Sequence, residues 1–135
     1  MIVELHKAVR ATVLSQAFVQ QMVTAVKRMV PFPKSWQTIS VVVVGDVAMR
    51  RLNQRYRQQN YIPDVLSFPY GADGGEIVLC YAQAKRQANQ KQVELRRELA
   101  WLLIHGLLHV LGYDHETAAD ANIMRPLEQK ILTYV

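Results

Sequence analysis

Apolar residues follow helical spacing in two long stretches of the chain. Between residues 8 and 30 they recur every three or four positions, which predicts an amphipathic helix that ends before Pro31. Between residues 93 and 111 the first half is mixed, whereas the second half is apolar on almost every side. Such a helix has no face for water, so we expect a buried central helix that stops at Gly112.

Three shorter helices are predicted from weaker patterns. One covers residues 46–57, with Asp46 as its N-cap. Its expected inner face consists of Met49, Leu52 and Tyr56. The other two cover residues 82–90 and 117–132. Either Thr117 or His115 is expected to cap the last helix.

Four short stretches are rich in β-branched residues or alternate in polarity, as strands do. They are residues 1–5, 38–44, 65–68 and 76–81. The last two flank a short glycine-containing connection, which predicts an antiparallel pair. Because the sequence contains no repeat or linker, we expect one domain over residues 1–135. Its predicted class is α+β, with a small mixed sheet of three to four strands packed against about five helices.

The composition is that of a folded domain with a substantial core. Half of the 135 residues are hydrophobic and 20% are charged, which excludes a disordered or fibrous chain. The single cysteine, Cys80, excludes a disulfide framework within the chain. The longest apolar runs, residues 41–44 and 100–104, are far shorter than the about 20 residues of a membrane span. We therefore expect a soluble, cytoplasmic protein without a membrane partner.

Basic residues outnumber acidic ones by 16 to 11, which gives a formal net charge of +5. This surplus weakly favours a polyanionic partner such as nucleic acid, although many other proteins are equally basic. Four arginines belong to the second predicted helix or its end, namely Arg50, Arg51, Arg55 and Arg57. The first three are typical of a solvated basic face, whereas Arg57 lies where the helix gives way to a loop.

Three of the four histidines lie within eleven residues, at His105, His109 and His115. Residues four apart on a helix share a face, one turn from each other, so the first two imidazoles can hold one ion. Gly112 permits a positive φ, which lets the chain reverse and return His115 to the same point. Burying two unpaired histidines in so apolar a helix is costly. The spacing therefore predicts a metal site.

Three nitrogen ligands without a nearby cysteine favour Zn²⁺, although another divalent transition metal such as nickel fits the same donors. Structural zinc sites use four protein ligands, and Glu98 lies about 10 Å down the helix axis from His105, too far to be the fourth. An open position for water is typical of a catalytic site. Zinc peptidases carry glutamate directly after the first histidine, but here that residue is Gly106. A phosphodiester is the better candidate substrate.

The histidine segment resembles the signature of the YbeY family, in the order His105-Gly106-x-x-His109-x-x-Gly112-Tyr113-Asp114-His115. Four more segments resemble family motifs: Leu52-Asn53-x-x-Tyr56-Arg57, Asp64-Val65-Leu66-Ser67-Phe68-Pro69, Gly75-Glu76-Ile77-Val78 and Met124-x-x-x-Glu128-x-x-Ile131-Leu132. Together these segments span about residues 39–132. The chain departs from the family pattern at residues 59–63 and at Glu76, where aspartate is usual.

The resemblance implies an α+β fold with a zincin-like metal helix and one Zn²⁺ on His105, His109 and His115. It implies a single-strand-specific endoribonuclease that acts in maturation of small-subunit ribosomal RNA and in ribosome quality control. Arg57 and His105 are the implied catalytic residues, with Arg57 engaging RNA phosphate. The implied partners are ribosomal RNA, the ribosome and single-stranded RNA, with ribosomal-protein contacts in addition.

Two other functions stay open at this point. One is a zinc peptidase that takes its base from elsewhere in the chain, and Gly106 argues against it. The other is a ribosome-assembly factor without catalytic activity, in which the zinc is structural.

Several single residues have two interpretations or a structural one. Asp114 either orients a ligand histidine or shapes the turn, and Ser67 either contacts substrate or packs within its strand. Trp36 and Trp101 are predicted core residues. Cys80 is predicted to be buried in a strand and not nucleophilic.

Overall fold

The computed structural model describes residues 1–135 and contains four strands and five helices. In chain order they are β1 (Ile2–Lys7), α1 (Gln16–Met29), β2 (Thr38–Val44), α2 (Asp46–Arg57), β3 (Val65–Pro69), β4 (Gly74–Cys80), α3 (Tyr81–Lys91), α4 (Leu95–Val110) and α5 (Ala118–Leu132). The α+β class, the four strands and the number of helices are as predicted. None of the helices is both long and apolar enough to cross a membrane.

The strands form one mixed sheet in the order β1-β2-β4-β3. Strands β1, β2 and β4 run parallel, while β3 lies antiparallel to β4 at the edge, with Ser67 opposite Ile77. The antiparallel β3–β4 pair was predicted from the short connection between them. This arrangement leaves β3 with a free edge, and the functional cleft lies beside it.

The two faces of the sheet bury cores of unequal size. On one face a cluster of 28 buried residues joins the sheet to α1, α4 and α5. On the other face α2 inserts Met49 into a smaller cluster of five buried residues, which includes Leu66 and Cys80. Burial of Trp36 and Cys80 is as predicted. Helix α4 is therefore fixed by a large core, and α2 by a small one.

The helix α4 runs very close to the sheet at Gly106. A Cβ atom at this position would lie 3.0 Å from Ile77 and 3.3 Å from the Ser67 hydroxyl. The Ser67 Oγ donates a hydrogen bond to the Gly106 carbonyl at 3.1 Å. Ser67 thus joins β3 to α4, which is a packing role. Packing was one of the two interpretations of this residue from the sequence. Because only glycine leaves this space, the approach holds α4 directly beneath the edge strand.

The first helix is shorter than predicted. It begins after Ser15, whose side chain accepts a hydrogen bond from the Phe18 N–H, so the start at residue 8 was wrong. The apolar residues before Ser15 belong to a loop that packs on the same core. The Lys7 ammonium stabilises this loop by donating hydrogen bonds to the carbonyls of Ala11 and Leu14. Local spacing did not reveal this tertiary support.

Two predictions about α2 were wrong. Its N-cap is Gly45, and Asp46 is the first helical residue, whose carboxylate pairs instead with Arg86. Tyr56 is 54% exposed rather than internal. Asn53 is fully buried in its place and donates a hydrogen bond to the Tyr61 carbonyl at 3.1 Å. The buried amide thereby ties the segment after α2 back onto the helix.

Candidate metal centre

A cleft of about 1110 Å³ opens along the edge of the sheet. One wall consists of α4 from Arg97 to His109, the turn after it and part of α5, and α3 contributes further lining side chains. The other wall consists of Arg57, the segment after α2 and the edge strand β3. The three motif histidines and Arg57 line this one cleft, so the structure brings together all four residues that the sequence singled out.

The three imidazoles converge on one point. The Nε2 atoms of His105 and His109 are 3.1 Å apart, and the Nδ1 atom of His115 is 3.0 Å from the Nε2 of His109. All three ligand atoms lie within 4.8 Å of one another. Zinc binds nitrogen at about 2.0–2.1 Å, which places tetrahedral nitrogen ligands about 3.3 Å apart. The side chains present therefore fit a single metal ion.

Local geometry explains why His115 reaches the other two rings. Gly112 has φ +103°, and the Tyr113 N–H closes the turn by donating to the Leu108 carbonyl at 2.9 Å. The Asp114 Oδ1 then accepts hydrogen bonds from the backbone N–H groups of His115, at 2.7 Å, and Glu116, at 3.3 Å. Asp114 therefore shapes the turn, which was one of its two predicted roles.

The cap of α5 completes this turn. The Thr117 side chain accepts a hydrogen bond from the Asp120 N–H at 3.0 Å, so Thr117 rather than His115 is the N-cap. This leaves the His115 ring free to face His109.

The residue that orients His105 is Glu128, which the sequence argument had not assigned. Its Oε1 atom lies 3.1 Å from the Nδ1 of His105, and the residue is only 3% exposed. A carboxylate on the far nitrogen fixes which nitrogen faces the metal and makes the ring a better ligand. Glu128 lies 23 residues further along the chain, so helical spacing around His105 could not reveal the contact. Its only sequence signal was its place in the motif of the last helix.

Burial and neighbouring charge affect His109 most strongly. Desolvation, followed by the neighbouring rings of His105 and His115, lowers the pKa of His109 to about 4. A neutral imidazole is the form that binds metal. At neutral pH the ring is thus already in its ligating state.

Arg57 is the last residue of α2 and points its charge at the cleft from an exposed position. Gln58 follows in the left-handed conformation, with φ 55°, and ends the helix there. Arg57 forms no salt bridge with the protein's carboxylates. Its guanidinium is therefore available to an anion that enters the cleft.

The wall of α4 contains further polar groups. Glu98 is 3% exposed and accepts hydrogen bonds from the Lys91 ammonium at 3.0 Å through both carboxylate oxygens. It is paired there and does not belong to the histidine cluster, as its distance along the helix predicted. Trp101 was expected in the core, but it is only partly buried, and its ring lies 5.3 Å from that of His105 in the cleft.

The sequence model of the family described as "Endoribonuclease YbeY" matches residues 4–135. The chain belongs to the YbeY family. A YbeY relative from Thermodesulfovibrio yellowstonii is 45% identical over 103 residues, which cover 70% of this chain and 65% of the relative. One from Heliobacterium modesticaldum is 36% identical over 134 residues, covering 87% and 81%. Both relatives are named Endoribonuclease YbeY.

The fold has a solved counterpart. The solution structure of TM1509 from Thermotoga maritima superposes with a TM-score of 0.70 at 25% identity, covering 98% of this chain and 88% of that one. In several YbeY relatives the match is shorter than the protein. It covers 65% of the relative from T. yellowstonii and 64% of the one from Bordetella petrii.

In this chain Gly106 stands where zinc peptidases have their glutamate base, and the structure gives a physical reason. Position 106 faces Ile77 and Ser67 in the sheet, not the cleft that holds the histidine nitrogens. A Cβ atom there would already lie 3.0 Å from an Ile77 methyl group and 3.3 Å from the Ser67 hydroxyl, so a larger side chain would require these neighbours to shift. A side chain at this position would therefore begin toward the sheet rather than toward the histidine nitrogens.

Proposed function

We propose that this protein is a metal-dependent endoribonuclease that cleaves single-stranded RNA in the maturation of small-subunit ribosomal RNA. The observation that carries the proposal is the convergence of His105, His109 and His115 in a cleft that Arg57 also lines. Membership of the YbeY family supports RNA as the substrate. A role in ribosome quality control, contact with ribosomal proteins and a cytoplasmic location belong to the same proposal.

The three histidines would hold one divalent ion, with Zn²⁺ favoured by the nitrogen donors. When bound, such an ion supplies Lewis-acid polarisation of a phosphoryl oxygen. His105 contributes to catalysis as a ligand, held in its orientation by the Glu128 carboxylate. The buried position of Glu128 excludes water from this hydrogen bond, so the ring does not have to reorient when substrate binds.

Arg57 would hold the phosphate from the opposite wall. A guanidinium donates two parallel hydrogen bonds to phosphate oxygens, and it stabilises the negative charge that grows there during cleavage. In this proposal the histidines position the metal ion, and Arg57 positions the RNA phosphate. The cleft volume, above the range of about 300–1,000 Å³ for small-molecule sites, suits more than one nucleotide.

The two alternative functions have less support. A zinc peptidase lacks a base beside the first histidine, and a side chain at position 106 would face Ile77 and Ser67 of the sheet. An assembly factor with a purely structural metal would be expected to enclose the ion with four protein ligands, whereas this cluster offers three and His115 is exposed.

The test combines elemental analysis with cleavage of a defined single-stranded RNA by the same purified sample. We expect about one zinc or other transition-metal ion per chain, cleavage that stops on chelation and resumes on metal addition, and no digestion of casein. Metal-loaded protein that binds RNA but never cleaves it would support the assembly factor instead. Peptide cleavage that depends on the metal would support the peptidase.

A further inference from the structure

The positive charge of this protein is not concentrated in the cleft. Four basic side chains and five carboxylates line the cleft, although the whole chain carries a net charge of +5. The basic surplus therefore lies on other surfaces. Outside the cleft, helix α2 carries three basic residues, Arg50, Arg51 and Arg55, and only one acid, Asp46. An RNA strand that continues beyond the cleft would meet its strongest electrostatic attraction at such a surface.

A second, smaller groove of about 240 Å³ lies on the outer side of α2. It is lined by Asp46, Val47, Arg50, Arg51, Gln54 and Ile62. Arg50 and Arg51 are exposed, and neither forms a salt bridge. The one carboxylate in the groove is already neutralised, because Arg86 donates to both oxygens of Asp46 at 2.7 and 3.1 Å. Two guanidinium groups are thus left for an anion.

The groove and the cleft are neighbours that share Ile62. The segment that separates them is held firmly at three points. Asn53 donates to the Tyr61 carbonyl at 3.1 Å, Gln83 donates to the Ile62 carbonyl at 3.1 Å, and Gln54 donates to the Asn60 side chain at 2.8 Å. Side-chain hydrogen bonds therefore hold in place the segment that borders both the cleft and the groove.

We propose that the Arg50–Arg51 groove binds backbone phosphate of the single-stranded RNA that flanks the cleaved bond. The inference rests on the proposed endoribonuclease function and extends it to the length of RNA that the enzyme holds. The groove suits RNA rather than a protein partner, since only Val47 and Ile62 are apolar among its lining residues. Its size is below that of small-molecule sites, as expected for a contact with part of a nucleotide.

The test compares the double variant Arg50→Gln/Arg51→Gln with the wild-type protein. Fluorescence anisotropy measures binding of single-stranded RNAs of roughly 4 and about 16 nucleotides, the limits of common single-strand site sizes. Loss of two phosphate contacts should weaken binding of the longer RNA on the order of 10-fold in 0.1 M salt. The slope of log affinity against log salt should become shallower by about 1.4. Binding of the shorter RNA should not change.

The matched control is Lys27→Gln/Lys34→Gln, which removes the same charge from residues outside both the cleft and the groove. It should retain the wild-type affinity for both RNAs. Circular dichroism melting of both double variants should match the wild type, because all four side chains are exposed.

Three results would overturn the proposal. They are wild-type affinity of the groove variant for the longer RNA, equal weakening for both RNA lengths, and a loss that the control variant reproduces. A further outcome separates the two proposals. If the wild type cleaves neither RNA, but the groove variant binds the longer RNA more weakly and the shorter one normally, the endoribonuclease function is wrong while the groove assignment stands. Cleavage assays on the same two RNAs thus separate the two proposals.

Discussion

The two walls of the cleft are built in opposite ways. On the histidine wall, His105 and His109 are partly buried, Glu128 is 3% exposed, and the rings contact one another at 3.0–3.1 Å. On the arginine wall, Arg57 is exposed and without a salt-bridge partner at the end of a helix that rests on a small core. A site for a small cation needs ligands in fixed positions, whereas a site for RNA needs exposed charges that the phosphates of the backbone can reach.

This difference predicts how the walls respond to mutation. Changes on the histidine wall should affect metal content first, and activity through it. Changes on the arginine wall should leave metal content and stability intact and affect only events that involve RNA.

The largest expected effect is that of His109→Ala on the histidine wall. Removal of the central ligand should abolish stoichiometric metal binding and lower RNA cleavage by about 1000-fold or more, because a metal contributes several kcal/mol to the transition state. Metal content and cleavage are measured on the same sample. His6→Ala, which removes an exposed histidine of β1, is the control and should change neither. Full cleavage activity of metal-free His109→Ala protein would show that cleavage does not need the metal.

Arg57→Ala should lower the cleavage rate by about 100-fold, the usual cost of losing one charge-stabilising donor. Metal content and melting temperature should stay at wild-type values, since Arg57 is exposed. The control is Arg55→Ala, which removes a neighbouring exposed arginine that lines neither the cleft nor the groove. An equal loss of cleavage rate in Arg55→Ala, or a loss of metal in Arg57→Ala, would contradict the proposed difference between the two walls.

Glu128→Gln should weaken metal binding by about 10- to 100-fold, since glutamine keeps an acceptor for His105 but loses the charge. A competition titration with a chromogenic chelator measures the affinity. The control is Glu116→Gln, which removes an exposed carboxylate from the same cleft. Equal metal affinity of Glu128→Gln and the wild type would show that the hydrogen bond does not tune the ligand.

The smallest effect concerns the support of α2. The hydrogen bonds from Arg86 hold the pKa of Asp46 below its ordinary value, so the charged form is favoured in the folded state. The stability that this pair adds is present above about pH 4 and is lost as the pH falls through the lowered pKa. The free energy of unfolding of the wild type should exceed that of Asp46→Asn by at most about 1 kcal/mol at pH 7, and this difference should shrink as the pH falls below about 4. A stability difference that grows as the pH falls would contradict this prediction.

Most of the secondary structure could be predicted from the sequence, because local patterns carry it. Strand β2 has the predicted bounds, and α4 and α5 differ from prediction by one or two residues. The errors lie where tertiary contacts override the pattern. Residues before Ser15 pack as a loop in spite of their apolar spacing, and Asp46 pairs with Arg86 rather than capping α2.

The sequence by itself determined the cluster of three histidines, because a four-residue helical step and one glycine turn are local geometry. His105, His109 and the return at Gly112 needed no distant contact to be recognised. Only the tertiary structure decided the surroundings of these histidines. Contacts between residues far apart in the chain place Glu128 behind His105, pack Gly106 against Ile77, and bring Arg57 to the same cleft. No local pattern encodes such separations, since they depend on how the sheet and helices pack together.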